Sequence, residues 1–397
     1  MPAQRNSMTQ TPLEAQIIDR IASHGDLRLD HFMDLCLFEP THGYYASRHP
    51  IGAPHSRGGD FVTSPEISQI FGELIGAWCL DLWQRHAAAE RLHLIEIGPG
   101  RGTLAGDIWR TICQSGHEAH IQMHLVETSP SLRSEQAQRV PQAQWHNHLE
   151  TVPHDAPSIV IANEFFDALP IRQFLKTDTG WAERYVTRRH TGFEFIEHAY
   201  APDAETDMAQ LLAHAAPQTP CHQVIEICPA AMDYIDHIGS RLHHHGGAVL
   251  AIDYGYGSNV DRADPASDGQ AIASAFTGDS LQGMRQHRFV SPLSHIGEAD
   301  LTAHVNFDTL RSRLRQAGCM TLPLLTQGTF LKALGIEVRA EQLVARHPHQ
   351  ATSIREASTR LTSPTEMGQL FKVLCATSAN FPVPAPFVEA GARVETR

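Results

Sequence analysis

The sequence predicts an α/β fold of the Rossmann-like, doubly wound kind: a mostly parallel sheet with a helical N-terminal region and a β-rich insertion. Three observations carry this. A compact apolar run, Leu92 to Ile97, ends in the turn Gly98-Pro99-Gly100-Arg101-Gly102. Helix-like and strand-like segments then alternate as far as Ala162, the pattern of a parallel sheet covered on both faces. A further apolar run, Gly247 to Asp253, closes on Asp-Tyr-Gly and reads as a later strand of the same sheet.

The elements follow in order. Leu13 to Ser23 and Leu29 to Phe38 read as short helices, and Thr41 to Phe61, rich in Gly, Pro, His and aromatics, as an ordered loop. Apolar residues at Ile67, Ile70, Phe71, Leu74, Ile75, Trp78, Cys79 and Leu82 predict an unbroken helix. Its start is Thr63-Ser64-Pro65-Glu66, either a Ser cap followed by Pro or a Thr63/Glu66 capping box. Thr103 to Cys113 is helical, Ile121 to Glu127 a strand, Pro130 to Arg139 helical and Ser158 to Ala162 a short buried strand. Ile171 to His245 holds two alternating stretches (Arg172 to Lys176, Trp181 to Val186), a polar segment and two helical stretches, and reads as an insertion or lid. Asp261 to Gly283 is expected to be a mobile loop. Helices follow near Phe307 to Ala317, Thr329 to Leu334, Arg339 to Ala345 and Thr352 to Leu361, then a strand at Phe371 to Ala376. The expected organisation is an N-terminal region (1–62), the first part of a ligand-binding α/β domain (63–170), the insertion (171–245), the rest of that domain with a loop insertion near 261–300 (246–377), and a tail (378–397).

Composition narrows the class. At 397 residues the chain is long for one average domain, and 42% apolar residues suffice for an ordinary core. A net charge of -13 repels phosphate backbones, so nucleic acid is disfavoured and a cationic protein or peptide partner fits better. Seven Cys, with no C-x-x-C pair, read as buried free thiols of a reducing compartment. The 26 His are mostly scattered, and His243 to His245 precede Gly246-Gly247 at a helix end. No finger or H-E-x-x-H spacing occurs, so no metal is expected. No apolar stretch approaches the roughly 20 residues of a bilayer span. Met1 to Gln10 resembles neither a secretory signal nor a transit peptide, which makes the cytoplasm the expected location.

Two motifs carry chemistry. In Glu96-Ile97-Gly98-Pro99-Gly100-Arg101-Gly102 the glycines let main chain turn sharply and approach a ligand closely. Glu127, ending the next strand, can take both ribose hydroxyls as donors. The nicotinamide fingerprint wants a third Gly where Thr103 stands. S-adenosylmethionine has no phosphate and does not need it, and Glu96 can meet its ammonium group. The second motif is Ala162-Asn163-Glu164-Phe165-Phe166-Asp167-Ala168-Leu169-Pro170, at the carboxyl edge where open sheets bind ligands. The Asn163 carbonyl can accept from a target nitrogen, an aromatic face can hold a cation, and Glu164 and Asp167 can pair with a guanidinium. Either Phe is equally readable as core. Weaker candidates are Tyr44-Tyr45, Gly58-Gly59-Asp60, Ser64 with Glu66, Asp253 and His304.

These residues have company. The runs Gly59 to Ser68, Glu96 to Leu104, Val126-Glu127, Ala162 to Pro170, Ile252 to Gly255, Ala299 to Phe307 and Gly368 to Leu374 stand in the order found in the MidA-like family. The chain resembles that family from about Leu35 to Cys375. The family includes a mitochondrial complex I assembly-factor arginine methyltransferase. The resemblance implies a class I methyltransferase fold with an insertion, S-adenosyl-L-methionine as cofactor, and a protein substrate such as a respiratory-complex subunit. Asn306 stands where the family pattern has Asp, and Ser280 where Thr is usual.

The expected activity is therefore methyl transfer to an arginine nitrogen of a protein. Glu164 orients the guanidinium, Asp167 assists, and Asn163 lies at the cofactor–substrate junction. Glu96, Gly98, Gly100, Gly102, Thr103, Glu127, Asn163 and Ser64 are the expected cofactor residues. Two rivals are a non-catalytic assembly or scaffolding protein, which would bind cofactor without product, and an NAD-dependent oxidoreductase, which a cofactor titration separates.

Overall fold

A computed structural model describes residues 11–47, 62–86, 90–190, 192–201, 203, 206–217, 219–258 and 279–387. The expected Gly58-Gly59-Asp60 turn, most of the 261–283 loop and residues 388–397 of the expected tail lie outside these residues.

The centre is a nine-stranded sheet. Leu92–Ile97 lies between Ile121–Val126 and Ser158–Asn163, and beyond these stand Gln144–His146 on one side and Gly247–Tyr256 on the other. These five strands run parallel, and Phe371–Thr377 joins antiparallel to Gly247–Tyr256. Two-residue strands complete the sheet, pairing with Gly247–Tyr256 and Phe371–Thr377. Side chains alternate across each central strand, so Leu94, Ile159, Ile161, Leu250 and Ile252 pack on one face. Ile95, Ile97, Val160, Val249 and Ala251 pack on the other. Helices Gln69–Arg85 and Thr103–Ser115 cover the first face; Pro229–His245 and Phe307–Gln316 cover the second. Burial on both faces is why these strands read as continuous apolar runs. The chain leaves Leu92–Ile97 to one side and returns to the other, so the strand order reverses at its carboxyl end, where such sheets bind ligands.

The expected single helix after Thr63 is two, Ser64–Ile67 and Gln69–Arg85. The apolar spacing is right, but Ser68 is extended (φ -158°, ψ 133°) and its side chain caps the second helix by accepting from Ile70 N–H. The capping box is not formed: Thr63 makes no side-chain cap bond, and the Glu66 carboxylate accepts the Thr103 hydroxyl at 2.5 Å.

A second sheet of five antiparallel strands contains Arg172–Thr177, Gly180–Arg189, Gly192–Tyr200, Val224–Ile227 and the N-terminal Leu27–Arg28. Helices Pro12–His24 and Leu29–Phe38 share a core with it, in which Ile17, Phe32 and Met33 meet Ile171 and Val186. A small sheet of Gln282–Arg285, Arg288–Val290 and Asp300–Thr302 begins where a loop was expected. Of the seven Cys, none is disulfide-bonded; Cys113 and Cys221 are exposed rather than buried. His93, His124 and His146, from three adjacent strands, form a hydrogen-bonded row with ring nitrogens 2.9 and 3.0 Å apart. No helix among the described residues is long and apolar enough to cross a membrane.

Candidate functional site

The glycine turn opens the site. Gly98, Gly100 and Gly102 all take positive φ (64°, 51°, 75°), where a Cβ is strained. Gly98 N–H donates to the Val126 carbonyl at 3.1 Å, and Gly102 N–H to Pro99 at 2.7 Å, which folds the turn onto the start of Thr103–Ser115. A Cβ on Gly98 would stand 2.6 Å from Phe165 Cδ2, so the two sequence motifs touch. Arg101 is held by Glu135 at 2.7 Å and lies 3.6 Å from Glu66.

Two carboxylates flank the turn. Glu96 is 4% exposed. Burial pushes its carboxyl up to about 8, against a backbone hydrogen bond from Ala105, and its Oε2 has no hydrogen-bond partner. Glu127, one residue past its strand, accepts Ser129 N–H at 2.7 Å on Oε1 and the Gln136 amide at 3.3 Å on Oε2. Burial raises its pKa too, with those bonds opposing.

The second motif forms the adjoining floor. Asn163 ends its strand; its amide nitrogen donates to Glu164 Oε1 at 3.2 Å, while its Oδ1 is buried without a partner. Glu164 is held at φ 49°, its N–H bonded to the Ile252 carbonyl at 2.8 Å. Its Oε1 also accepts Ser64 N–H at 2.7 Å. Burial raises the Glu164 carboxyl to about 7, with the Ser64 bond opposing and the Asp167 charge assisting. Phe165 sits edge-on to Tyr234, ring centres 4.9 Å apart, whereas Phe166 is core. Asp253 fixes this loop: its Oδ2 accepts the N–H groups of Phe165, Phe166 and Asp167 at 3.1, 2.9 and 3.2 Å.

One cleft of about 850 Å³ joins these parts, and Glu96, Gly98, Gly100, Thr103, Glu127, Asn163, Glu164 and Phe165 line it. Gly102, Ser64 and Asp167 do not. Gly102 caps the helix, and Ser64, whose hydroxyl lies 3.4 Å from the Gln327 amide oxygen, reaches Glu164 through both its N–H and its side chain. Asp167 faces Tyr254, whose hydroxyl bonds it, and burial lifts its carboxyl to about 6. His304 borders a separate, much smaller cavity. Asn306 caps Phe307–Gln316 by accepting Asp308 and Thr309 N–H at 3.1 and 3.2 Å, a task Asn performs as well as Asp. Sequence reasoning missed Asp34, Phe38, Asn147 and Tyr234, which line the cleft from distant parts of the chain. Only a hydrophobic residue at a helix end, Phe38, hinted at this.

The residues fit S-adenosyl-L-methionine. The buried, unpartnered Glu96 Oε2 and Asn163 Oδ1 are acceptors awaiting donors, and the carboxylates around the cleft suit a cationic ligand. Main chain at the glycine turn is bare to the cleft, and Thr103 carries its hydroxyl to Glu66 rather than opening a phosphate cradle.

Comparison with known proteins agrees. A family model described as "Putative S-adenosyl-L-methionine-dependent methyltransferase" matches residues 74–324. The human "protein arginine methyltransferase NDUFAF7, mitochondrial" is 34% identical over 91% of this chain and 82% of its own length. The Drosophila melanogaster homologue is 32% identical over 91% and 84%. A Burkholderia thailandensis crystal structure with bound S-adenosyl-homocysteine superposes with TM-score 0.76 at 25% identity, covering 92% of this chain and 91% of that one. The human and Drosophila relatives are named as mitochondrial, which overturns the cytoplasmic expectation. That expectation rested on the lack of a targeting pattern in Met1 to Gln10, and an absent signal weighs nothing against the compartment of relatives.

Proposed function

This chain belongs to the S-adenosyl-L-methionine-dependent methyltransferase family, and from that premise we propose that it methylates an arginine nitrogen of a protein. The observation that carries the choice of acceptor is Glu164, a carboxylate on the wall of the cleft whose Oε1 is held by the Ser64 N–H and the Asn163 amide. A respiratory-complex subunit is the acceptor that the family resemblance favours, and the relatives' names support arginine as its target.

When bound, the cofactor supplies an electrophilic methyl on a sulfonium. Glu96 takes its ammonium group, Glu127 its ribose hydroxyls, and the turn from Gly98 to Thr103 lets main chain lie against it. Asn163 Oδ1 accepts a hydrogen from the target nitrogen and fixes its direction. Glu164 Oε2 accepts from the guanidinium, holding it in line and stabilising its charge. A carboxyl near 7 is also matched to take the proton that the nitrogen must lose. Ser64 N–H and Asp253 act behind them, the one holding Glu164 and the other the loop. Asp167 supports from the Tyr254 side.

Mass spectrometry of arginine residues in a deletion strain against its parent tests the reading, with a dimethylated or monomethylated arginine missing in the deletion strain. Glu164→Gln should bind S-adenosyl-homocysteine normally and turn over at least about 100-fold more slowly. Turnover at the parental rate would remove Glu164 from the reaction.

A further inference from the structure

Past Glu164 the cleft continues onto the N-terminal region, where Asp34, Phe38, Pro40, Tyr45 and Ala46 form its wall. Phe38 is 41% exposed, unusual for a large apolar side chain at the mouth of a polar cleft. Its ring stacks on Tyr45 with centres 5.5 Å apart and planes 17° from parallel. Tyr45 is braced edge-on by the fully buried Tyr44, ring centres 5.3 Å apart. The stack is therefore a fixed surface. Asp34, one helical turn before Phe38, is exposed and forms no ion pair among the described residues. The one cation among the described lining residues, Arg101, is engaged by Glu135. The buried, unpartnered Asn163 Oδ1 on the floor shows that the cleft still lacks a donor.

We propose that the Phe38–Tyr45 stack, with Asp34 beside it, is the acceptor-recognition wall, which receives an arginine side chain and delivers it to Glu164. The inference rests on the arginine reading above and adds the residues that select for it. A guanidinium is planar, so it can lie flat on an aromatic face while its edge donates to carboxylates. An ammonium can do one or the other at a given position, and a neutral urea lacks the charge that both contacts use. The wall thus favours arginine over lysine, and arginine over its isostere citrulline. Phe38 belongs to the N-terminal region, whereas the glycine turn and Glu127 belong to the central sheet, so cofactor affinity should not change with it.

The test uses the full chain saturated with S-adenosyl-homocysteine and three blocked amino acids, the Nα-acetyl, C-terminal methylamide forms of arginine, lysine and citrulline. Binding is followed by ligand-observed NMR. Arginine should bind best. Phe38→Ala should weaken it about 3- to 30-fold with S-adenosyl-homocysteine affinity and Tm unchanged, and Phe38→Trp should restore it. In turnover the same change should raise KM for the acceptor more than it lowers kcat. Parental arginine binding by Phe38→Ala would overturn the wall and leave the arginine reading intact. Preference for lysine would overturn the wall's selectivity and the arginine reading together. Failure of all three compounds to bind the parent protein would overturn the proposal.

Discussion

The carboxyl of Glu96 ties cofactor binding to pH. Without ligand it sits near 8 because burial disfavours its charge and its Oε2 has no partner. To meet an ammonium group it must ionise. At pH 6, two units below that value, ionisation costs about 2.7 kcal/mol, and above pH 8 it costs almost nothing. Affinity for S-adenosyl-homocysteine should therefore weaken about tenfold for each unit below pH 7. At higher pH the ligand's own α-amino group loses its proton in turn, so affinity should pass through a maximum on the alkaline side of pH 8. Near pH 7 binding should release close to one proton from Glu96, read by calorimetry in two buffers of different ionisation enthalpy. The sign for stability agrees. A carboxyl raised in the folded state stabilises the free protein below about 4.5, and that contribution is lost as pH rises through about 8. The Tm gain on adding S-adenosyl-homocysteine should thus grow between pH 6 and 8. Glu96→Gln should flatten the affinity profile over that range. Binding by the parent without proton release at pH 7, or an identical profile in the Gln variant, would refute the reasoning.

Three further outcomes are expected. Gly98→Ala places a methyl in the left-handed region and 2.6 Å from Phe165, so it should cost about 1–2 kcal/mol in thermal or urea unfolding and weaken S-adenosyl-homocysteine binding at least tenfold; an unchanged titration would contradict this. Glu127→Gln keeps the side chain's shape but loses its charge, so affinity should fall about tenfold, and the parent's preference for the cofactor over its 2′-deoxy analogue should shrink with it. Asp253→Ala frees three buried N–H groups of the Phe165 loop and should cost about 3 kcal/mol or more, with turnover reduced further than cofactor affinity; equal losses of both would show that the loop serves folding alone.

Much of the central layer was legible in the sequence because its physics is local. Leu92 to Ile97 and Ser158 to Ala162 are apolar throughout since both faces are covered, and Gly98, Gly100 and Gly102 mark the turn by residue type. Glu96, Glu127 and Glu164 could be singled out because each stands at a strand end on the binding edge. Gly192–Tyr200 escaped notice because it is an edge strand with its polar residues in solvent and little alternation. The missing capping box could not be read because the Glu66 carboxylate meets Thr103, 37 residues away. The split between Glu164, on the cleft, and Asp167, behind it, is set by one turn of loop that Asp253 pins from another strand. The aromatic wall arises from residues 34–46 meeting 163–170, a contact that no window along the chain contains.

Glu164 occupies a left-handed backbone position, one that glycine fills without strain. The molecule therefore carries a standing conflict at its floor: Glu164→Gly would relieve that strain but strip the buried Ser64 N–H of its acceptor, so the carboxylate is tied to the fold by the same atom that takes it off an unstrained backbone.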